Sequence, residues 1–228
     1  MQPDIAKHIT QTYLNLRVGM AAMALLLPLL LMAGSWLSTN VVFQSSISAF
    51  YHTPMRNLFV GLLVAVGSFL YLYKGFSNEE NIALNFAGVF SIGVAFLPTG
   101  ISKEVCDPEA IPKMDCPFTA PWLHGISAVL FFLCIAYVCI YRGKDTVELI
   151  RDNKIRDKYF SIYRIIGFFM VALPLLSVAI AFFVARGYWL FIFEFAAIWV
   201  FAIFWLAKVK ELEHHPIALE RKIISSRK

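Results

Sequence analysis

The stretch YWLFIFEFAAIWVFAIFWLA, residues 188–207, decides the class of fold. Its only charged side chain is Glu194, and its apolar residues are continuous rather than alternating. A run of roughly 20 apolar residues, rising 1.5 Å per residue as a helix, crosses the ~30 Å hydrocarbon core of a bilayer. Because lipid offers the backbone no hydrogen-bond partners, this stretch is predicted to be a transmembrane helix.

Five further runs of the same kind precede it. Together the six runs predict an all-α integral membrane bundle that forms a single domain over residues 1–228. The predicted spans are Val18–Ser38, Asn57–Tyr73, Ile82–Pro98, Pro121–Tyr141, Ile165–Ala185 and Tyr188–Ala207. The composition agrees, since 59% of residues are hydrophobic and only 15% are charged, against about a quarter charged in soluble domains. An ordinary soluble enzyme and a disordered chain are excluded.

The basic residues predict the orientation of these spans. With the N-terminus in the cytoplasm, sixteen of the twenty Lys and Arg residues fall on the cytoplasmic side, as the positive-inside rule requires. Both termini are then cytoplasmic, and a bacterial inner membrane is the expected location. The net charge of +5 is thus explained by the excess of basic residues on the cytoplasmic side of the membrane. No nucleic-acid partner is expected, since acidic residues interrupt the basic segment 142–164, which we interpret as a solvated, lipid-facing loop. The first span is expected to be a retained helix rather than a cleaved signal peptide.

The four cysteines fall into two classes. Cys106 and Cys116 lie in the loop EVCDPEAIPKMDCPF on the predicted outer side, where an oxidising compartment favours a disulfide between them. Cys134 and Cys139 lie inside the fourth span and are interpreted as small packing residues. Small residues elsewhere, among them Gly61, Ala65 and Gly88, are expected to let helices approach closely.

Three ionisable side chains carry the main functional hypothesis. His52 lies just before the second span, His124 just inside the fourth, and Glu194 about two turns into the sixth. All three spans run in the same direction, so the side chains should share one depth near the outer leaflet. Ionisable groups at such positions are costly and are functional candidates by default. With Ser48, Arg56 and Asn57 around His52, they predict a ligand-binding polar cavity that opens outward.

Other interpretations of the same residues stay open. Two imidazoles and a carboxylate are a ligand set that zinc or iron accepts, so His52, His124 and Glu194 are weak metal candidates. Glu194 could instead pair with Arg56 or a hydroxyl, and His52 could belong to an interfacial aromatic belt with Tyr51 and the nearby tryptophans. A nucleophilic pair of Ser48 with His52 has the right spacing on a helix, but Pro54 disturbs the register and no third member is evident.

Four segments resemble a family of bacterial six-span inner-membrane proteins whose activity is uncharacterised. They are SISAFYHTPMRNLFVGLLVAVGSFLYLYKGF (46–76), NIALNFAGVFSIGVAFLPT (81–99), HGISAVLFFLCIAYVCIYR (124–142) and FEFAAIWVFAIFWLAK (193–208). Members commonly have an aspartate where this chain has Asn57, so a role needing a carboxylate there is not implied. The six-span layout is also similar to that of the damage-regulated autophagy modulator (DRAM) group, which implies membrane residence and lipid handling but no reaction.

A fainter resemblance concerns alkaline ceramidase-like hydrolases, whose Ser-x-x-x-His element is similar to Ser48 and His52. Those enzymes hold zinc with late histidines, whereas His214 and His215 here fall on the opposite side. The sequence therefore predicts a membrane protein that binds or passes a small molecule, ion or lipid through the cavity. A metal-dependent intramembrane lipid hydrolase and a non-catalytic structural or assembly protein are the alternatives. No particular cofactor is predicted.

Overall fold

A computed structural model describes residues 3–100, 120–150, 152–183 and 188–214, and all regular structure in these ranges is helical. The helices are α1 (Pro3–Thr39), α2 (Arg56–Leu72), α3 (Asn78–Phe96), α4 (Pro121–Tyr137), α5 (Gly143–Val147), α6 (Asn153–Phe183) and α7 (Trp189–His214). A 3₁₀ turn, Ser48–His52, precedes α2, and a π turn, Val138–Arg142, joins α4 to α5. The prediction of an all-α fold is confirmed for this part of the chain.

Local chemistry explains where several helices begin. The Ser77 hydroxyl accepts a hydrogen bond from the Glu80 amide (3.3 Å) and so caps α3. Asp152 does the same for α6, accepting from the Lys154 amide at 2.8 Å. Pro121 occupies the first turn of α4, where its missing N–H would have had no partner in the helix. These residues satisfy the donors that the first turn of a helix leaves free.

Four helical segments are long and apolar enough to cross a membrane, by length and composition. They are His8–Thr39, Pro121–Val147, Asn153–Ile180 and Trp189–Leu212, and Arg56–Leu72 is a shorter apolar helix. Large apolar side chains also cover the outer surface of the molecule, including Leu30, Phe86, Phe168 and Ile203. An apolar exterior of this extent is characteristic of a protein surrounded by lipid.

Six of the helices close into a ring in which each contacts the next, in the order α1, α2, α3, α4, α6, α7 and back to α1. Arg17, in the first half of α1, bonds both Tyr73 at the end of α2 and Lys208 in the last third of α7. Helix α1 therefore runs opposite to both of its neighbours. The interior is filled by fully buried side chains, among them Met20, Leu84, Ile135, Met170 and Trp205.

Helices α2 and α3 approach each other closely at two glycines. A Cβ atom placed on Gly88 would lie 2.5 Å from the Gly67 carbonyl oxygen, and one on Gly67 would lie 2.8 Å from the Gly88 oxygen. Gly88 thus has the role expected from the sequence. Gly61 does not, because a Cβ there would meet no atom within 4 Å.

The structure differs from two other expectations. The segment 142–164, interpreted above as a loop, is mostly helical, since α5 ends at Val147 and α6 begins at Asn153. Tyr51 is buried rather than exposed at an interface.

Cys134 and Cys139 are free thiols, whereas Cys106 and Cys116 lie outside the described residues, so their disulfide stays a prediction.

Candidate functional site

A cavity of about 290 Å³ lies inside the ring, towards the end at which α2, α4 and α7 begin. All six ring helices and the 3₁₀ turn contribute to its wall. Most lining residues are apolar, and the polar ones are Ser48, Ser91, Thr99, His124, Ser177 and Glu194. The cavity is therefore an apolar chamber with a small number of polar groups, the usual construction of a site for a small molecule.

Glu194 anchors the 3₁₀ turn to α7. Its Oε2 atom accepts a hydrogen bond from the Ser48 amide at 3.0 Å and lies 3.4 Å from the Ser48 hydroxyl. The amide contact is the shorter one and does not depend on the serine side chain. Glu194 thus holds the backbone of the turn in place and presents a carboxyl group to the cavity.

His124 brings an imidazole to the same serine from the first turn of α4. Its Nε2 atom lies 2.9 Å from Ser48 Oγ, and its Nδ1 atom lies 2.7 Å from the Leu97 carbonyl oxygen at the end of α3. We call Ser48, His124 and Glu194 the Ser48 cluster. Its three residues come from the 3₁₀ turn, α4 and α7, so the cluster forms only when the ring closes.

The Leu97 carbonyl fixes the tautomer of His124. A carbonyl oxygen only accepts hydrogen bonds, so Nδ1 carries the proton and donates it to Leu97. In the neutral imidazole, Nε2 then has a lone pair and accepts from the Ser48 hydroxyl. The Ser48 hydroxyl thus has two acceptors, and the shorter contact is the 2.9 Å hydrogen bond to Nε2 rather than the 3.4 Å contact to Glu194 Oε2.

The other predicted site residues lie beside the cluster rather than in it. His52 Nε2 donates to the Thr99 carbonyl oxygen at 2.9 Å. The Arg56 guanidinium donates to the Tyr51 hydroxyl at 2.6 Å and lies over its ring, so it does not pair with Glu194. Asn57 is exposed at the start of α2 and is not part of the cavity wall. The structure thus joins Ser48, His124 and Glu194 but leaves Arg56 and Asn57 outside.

The cluster does not form a metal-binding group. Within the described residues, no three His, Cys, Asp or Glu side chains are placed to hold a metal ion together. His124 uses both ring nitrogens for Ser48 and Leu97, and the Nε2 atom of His52 is committed to Thr99. The geometry gives no support to the weak metal candidates His52, His124 and Glu194.

A second polar group, which we call the Arg17 network, closes the opposite end of the ring. Arg17 donates to the Tyr73 hydroxyl at 2.9 and 2.6 Å and to the Lys208 carbonyl oxygen at 2.6 Å. Lys208 in turn donates to the Thr146 hydroxyl at 2.9 Å and pairs with Glu211 at 3.4 Å. Tyr163 completes the network by donating to Glu211.

This network was not expected from the sequence, because Arg17 and Lys208 each lie one residue outside a predicted span and are explained there as cytoplasmic charges. A signal was available in α7, where the buried face formed by Phe201, Phe204 and Trp205 continues at helical spacing to Lys208 and Glu211. Two ionisable residues on the buried face of a helix need partners from other helices. The pattern therefore predicts buried pairing, although it does not identify Arg17 or Tyr163 as the partners.

No protein-family model, curated protein or solved structure matches the chain. The chemistry of the cavity therefore rests on its own geometry.

Proposed function

We propose that the protein binds an amphiphile inside the ring, with one medium-length hydrocarbon chain and an uncharged polar head. The observation that carries the proposal is the position of the Ser48 cluster at one end of a mostly apolar cavity. Such a chamber satisfies the two parts of an amphiphile separately. The chain contacts apolar side chains, and the head hydrogen-bonds to the cluster.

The cavity dimensions support a chain of modest length. Its volume of about 290 Å³ is roughly twice that of the ~150 Å³ apolar cavity known to bind benzene. That ratio corresponds to roughly ten to twelve carbon atoms. Phe131 lies seven residues beyond His124 along α4, which is about 10 Å deeper in the ring. A chain with its head at His124 therefore ends near Phe131.

The polar groups favour an uncharged head. Glu194 places a carboxyl group in the wall, which opposes a second carboxylate or a phosphate nearby. A hydroxyl or ester head can form hydrogen bonds with Ser48 and His124 without adding charge to the cavity. We therefore favour fatty alcohols and esters over free fatty acids as ligands.

We also propose that α2 and α3 cross the membrane with the four longer segments, which gives six spans with both termini in the cytoplasm of a bacterium. Their lengths of 17 and 19 residues correspond to about 25 and 28 Å. In this arrangement the cavity faces the outer leaflet of the inner membrane. Reporter fusions at Ser45 and at Lys74, which lies between α2 and α3, should report opposite sides, and the same side for both would contradict the topology.

The binding proposal is tested by filling the cavity. Gly125 lies in its wall, and a Cβ at that position would meet no atom within 4 Å. We expect Gly125→Leu to occupy space needed by the chain and to weaken binding at least tenfold. The measurement is displacement of a fluorescent medium-chain alcohol from the full-length protein in lipid nanodiscs.

Gly61→Leu is the matched control. Gly61 is also a helical glycine with open space at its Cβ position, but it is exposed and lies outside the cavity wall. Both variants replace glycine by the same residue, so they share the change in helix propensity. Equal affinity in the Gly125 and Gly61 variants, or no binding by the wild-type protein, would overturn the proposal.

A further inference from the structure

We propose that Ser48 is a nucleophile that attacks the carbonyl carbon of a medium-chain carboxylic ester, with His124 as its general base. This inference rests on the proposed function, because the same cavity must bind the acyl chain. It goes further in assigning a reaction that needs only the residues of the cluster, an ester and water. Three independent features of the site support it.

The first feature is the order of the groups. Ser48 Oγ lies 2.9 Å from His124 Nε2, and His124 Nδ1 lies 2.7 Å from the Leu97 oxygen. Nucleophile, base and orienting acceptor thus follow one another at hydrogen-bond distance, which is the arrangement that activates a serine. Here a backbone carbonyl takes the orienting position that a carboxylate occupies in the familiar triad.

The second feature is that Ser48 differs from the other serines of the cavity. Ser91 and Ser177 donate to backbone carbonyls of their neighbouring helix or their own helix, at 2.9 and 3.0 Å. Their hydroxyl protons are hydrogen-bonded to backbone carbonyl oxygens, which cannot act as general bases. Among the described serines that line the cavity, Ser48 alone faces a group that can accept its proton and later return it.

The third feature is the environment of the reacting group. Ser48 lies in the wall of the apolar cavity, where the chain of a bound ester would bring its head towards the polar cluster. Holding the two reacting groups together removes much of the entropic barrier of a bimolecular reaction. The apolar wall therefore selects the acyl chain, and the cluster acts on the ester group at its end.

The reaction has two balanced steps. Ser48 Oγ forms a bond to the carbonyl carbon while His124 takes the hydroxyl proton, and the bond to the alcohol oxygen breaks as His124 returns that proton to the departing alcohol. Water then attacks the acyl–Ser48 ester, gives a proton to His124, and releases the carboxylic acid as the proton returns to Ser48. No oxidant, reductant or metal takes part.

The test uses an alkyl fluorophosphonate of medium chain length on the full-length protein in nanodiscs. Ser48 Oγ should form a bond to phosphorus with loss of fluoride, which intact-mass and peptide analysis detect. Ser48→Ala should abolish the adduct, and His124→Gln should slow labelling at least about 100-fold, the lower range for a lost general base. Release of nitrophenol from a medium-chain nitrophenyl ester should fall in parallel.

Two controls separate chemistry from folding and from binding. Ser127→Ala changes a buried serine one turn along α4 from His124 and outside the cavity wall, and it should label like the wild type. Ser48→Ala keeps the backbone amide that bonds Glu194 and leaves His124 to bond the head group, so it should bind the fluorescent alcohol more weakly than the wild type while losing the adduct completely. Binding of the alcohol without any Ser48 adduct in the wild type would overturn the nucleophile but leave the proposed function standing. Loss of both would overturn both.

Discussion

At the scale of single residues, the Arg17 guanidinium is a buried charge that hydrogen-bonds to two other elements of the ring. Its side chain is 6% exposed, and three of its N–H groups are used by Tyr73 and by the Lys208 carbonyl. A buried charge is tolerated when it is paired and hydrogen-bonded, and it becomes costly when a partner is lost. The Arg17 network is therefore expected to stabilise the fold only while every buried charge in it keeps its hydrogen-bond partners.

Arg17→Lys should lower the free energy of unfolding by about 1–3 kcal/mol, the range for unmaking hydrogen bonds to a buried charged group. Lysine keeps the positive charge needed for topology but lacks the planar fork that bonds Tyr73 and Lys208 together. The measurement is denaturant unfolding in mixed micelles. Arg164→Lys, at an exposed position on α6, serves as the control. An equal change in the free energy of unfolding for the two variants would show that the guanidinium hydrogen bonds of Arg17 do not stabilise the fold.

At the scale of elements, the α2–α3 contact depends on the absence of two side chains. Gly88→Ala would bring a Cβ atom to 2.5 Å from the Gly67 oxygen and 3.0 Å from the Tyr71 nitrogen. Both are backbone atoms, so no change of side-chain rotamer can relieve the clash. The two helices must move apart instead. We expect a loss of about 1–3 kcal/mol in the free energy of unfolding, as for other overpacked sites.

Gly61→Ala is the counterpart on the same helix pair. Its Cβ atom would meet nothing within 4 Å, and alanine is the better helix former by about 1 kcal/mol. In the same experiment, the free energy of unfolding of this variant should equal or exceed that of the wild type. Destabilisation by both substitutions would mean that glycine itself, rather than the Gly67–Gly88 approach, is what α2 and α3 require.

The sequence predicts the elements better than it predicts their contacts. Continuous apolar runs indicate helices because period and length are local properties, and six of the seven helices fall where such runs occur. The predicted importance of His124 and Glu194 follows from the cost of ionisable groups in apolar spans, and Ser48 enters the prediction only as a polar neighbour of His52. The pairing of Ser48 with His124 does not follow from the sequence, because Ser48 lies four residues from His52 but contacts His124 across the ring. Only the closed arrangement of helices brings Ser48 and His124 together.

At the scale of the whole molecule, the ring has chemically different ends. The Arg17 network joins α1, α2, α6 and α7 through hydrogen bonds at one end, while an apolar cavity with the Ser48 cluster occupies the other. A buried, mutually bonded network favours one fixed arrangement of helices at its own end. We therefore expect ligand entry and any helix movement to take place at the cavity end.

The central claim is that an uncharged amphiphile lies inside the ring with its head at the Ser48 cluster. The most direct measurement is the anomalous signal from crystals grown with a terminally brominated medium-chain alcohol. The account predicts the hydroxyl beside Ser48 and His124 and the bromine near Phe131, Phe132 or Ile198, which line the deeper part of the cavity. Bromine found only on the outer, lipid-facing surface, with water alone in the cavity, would contradict it.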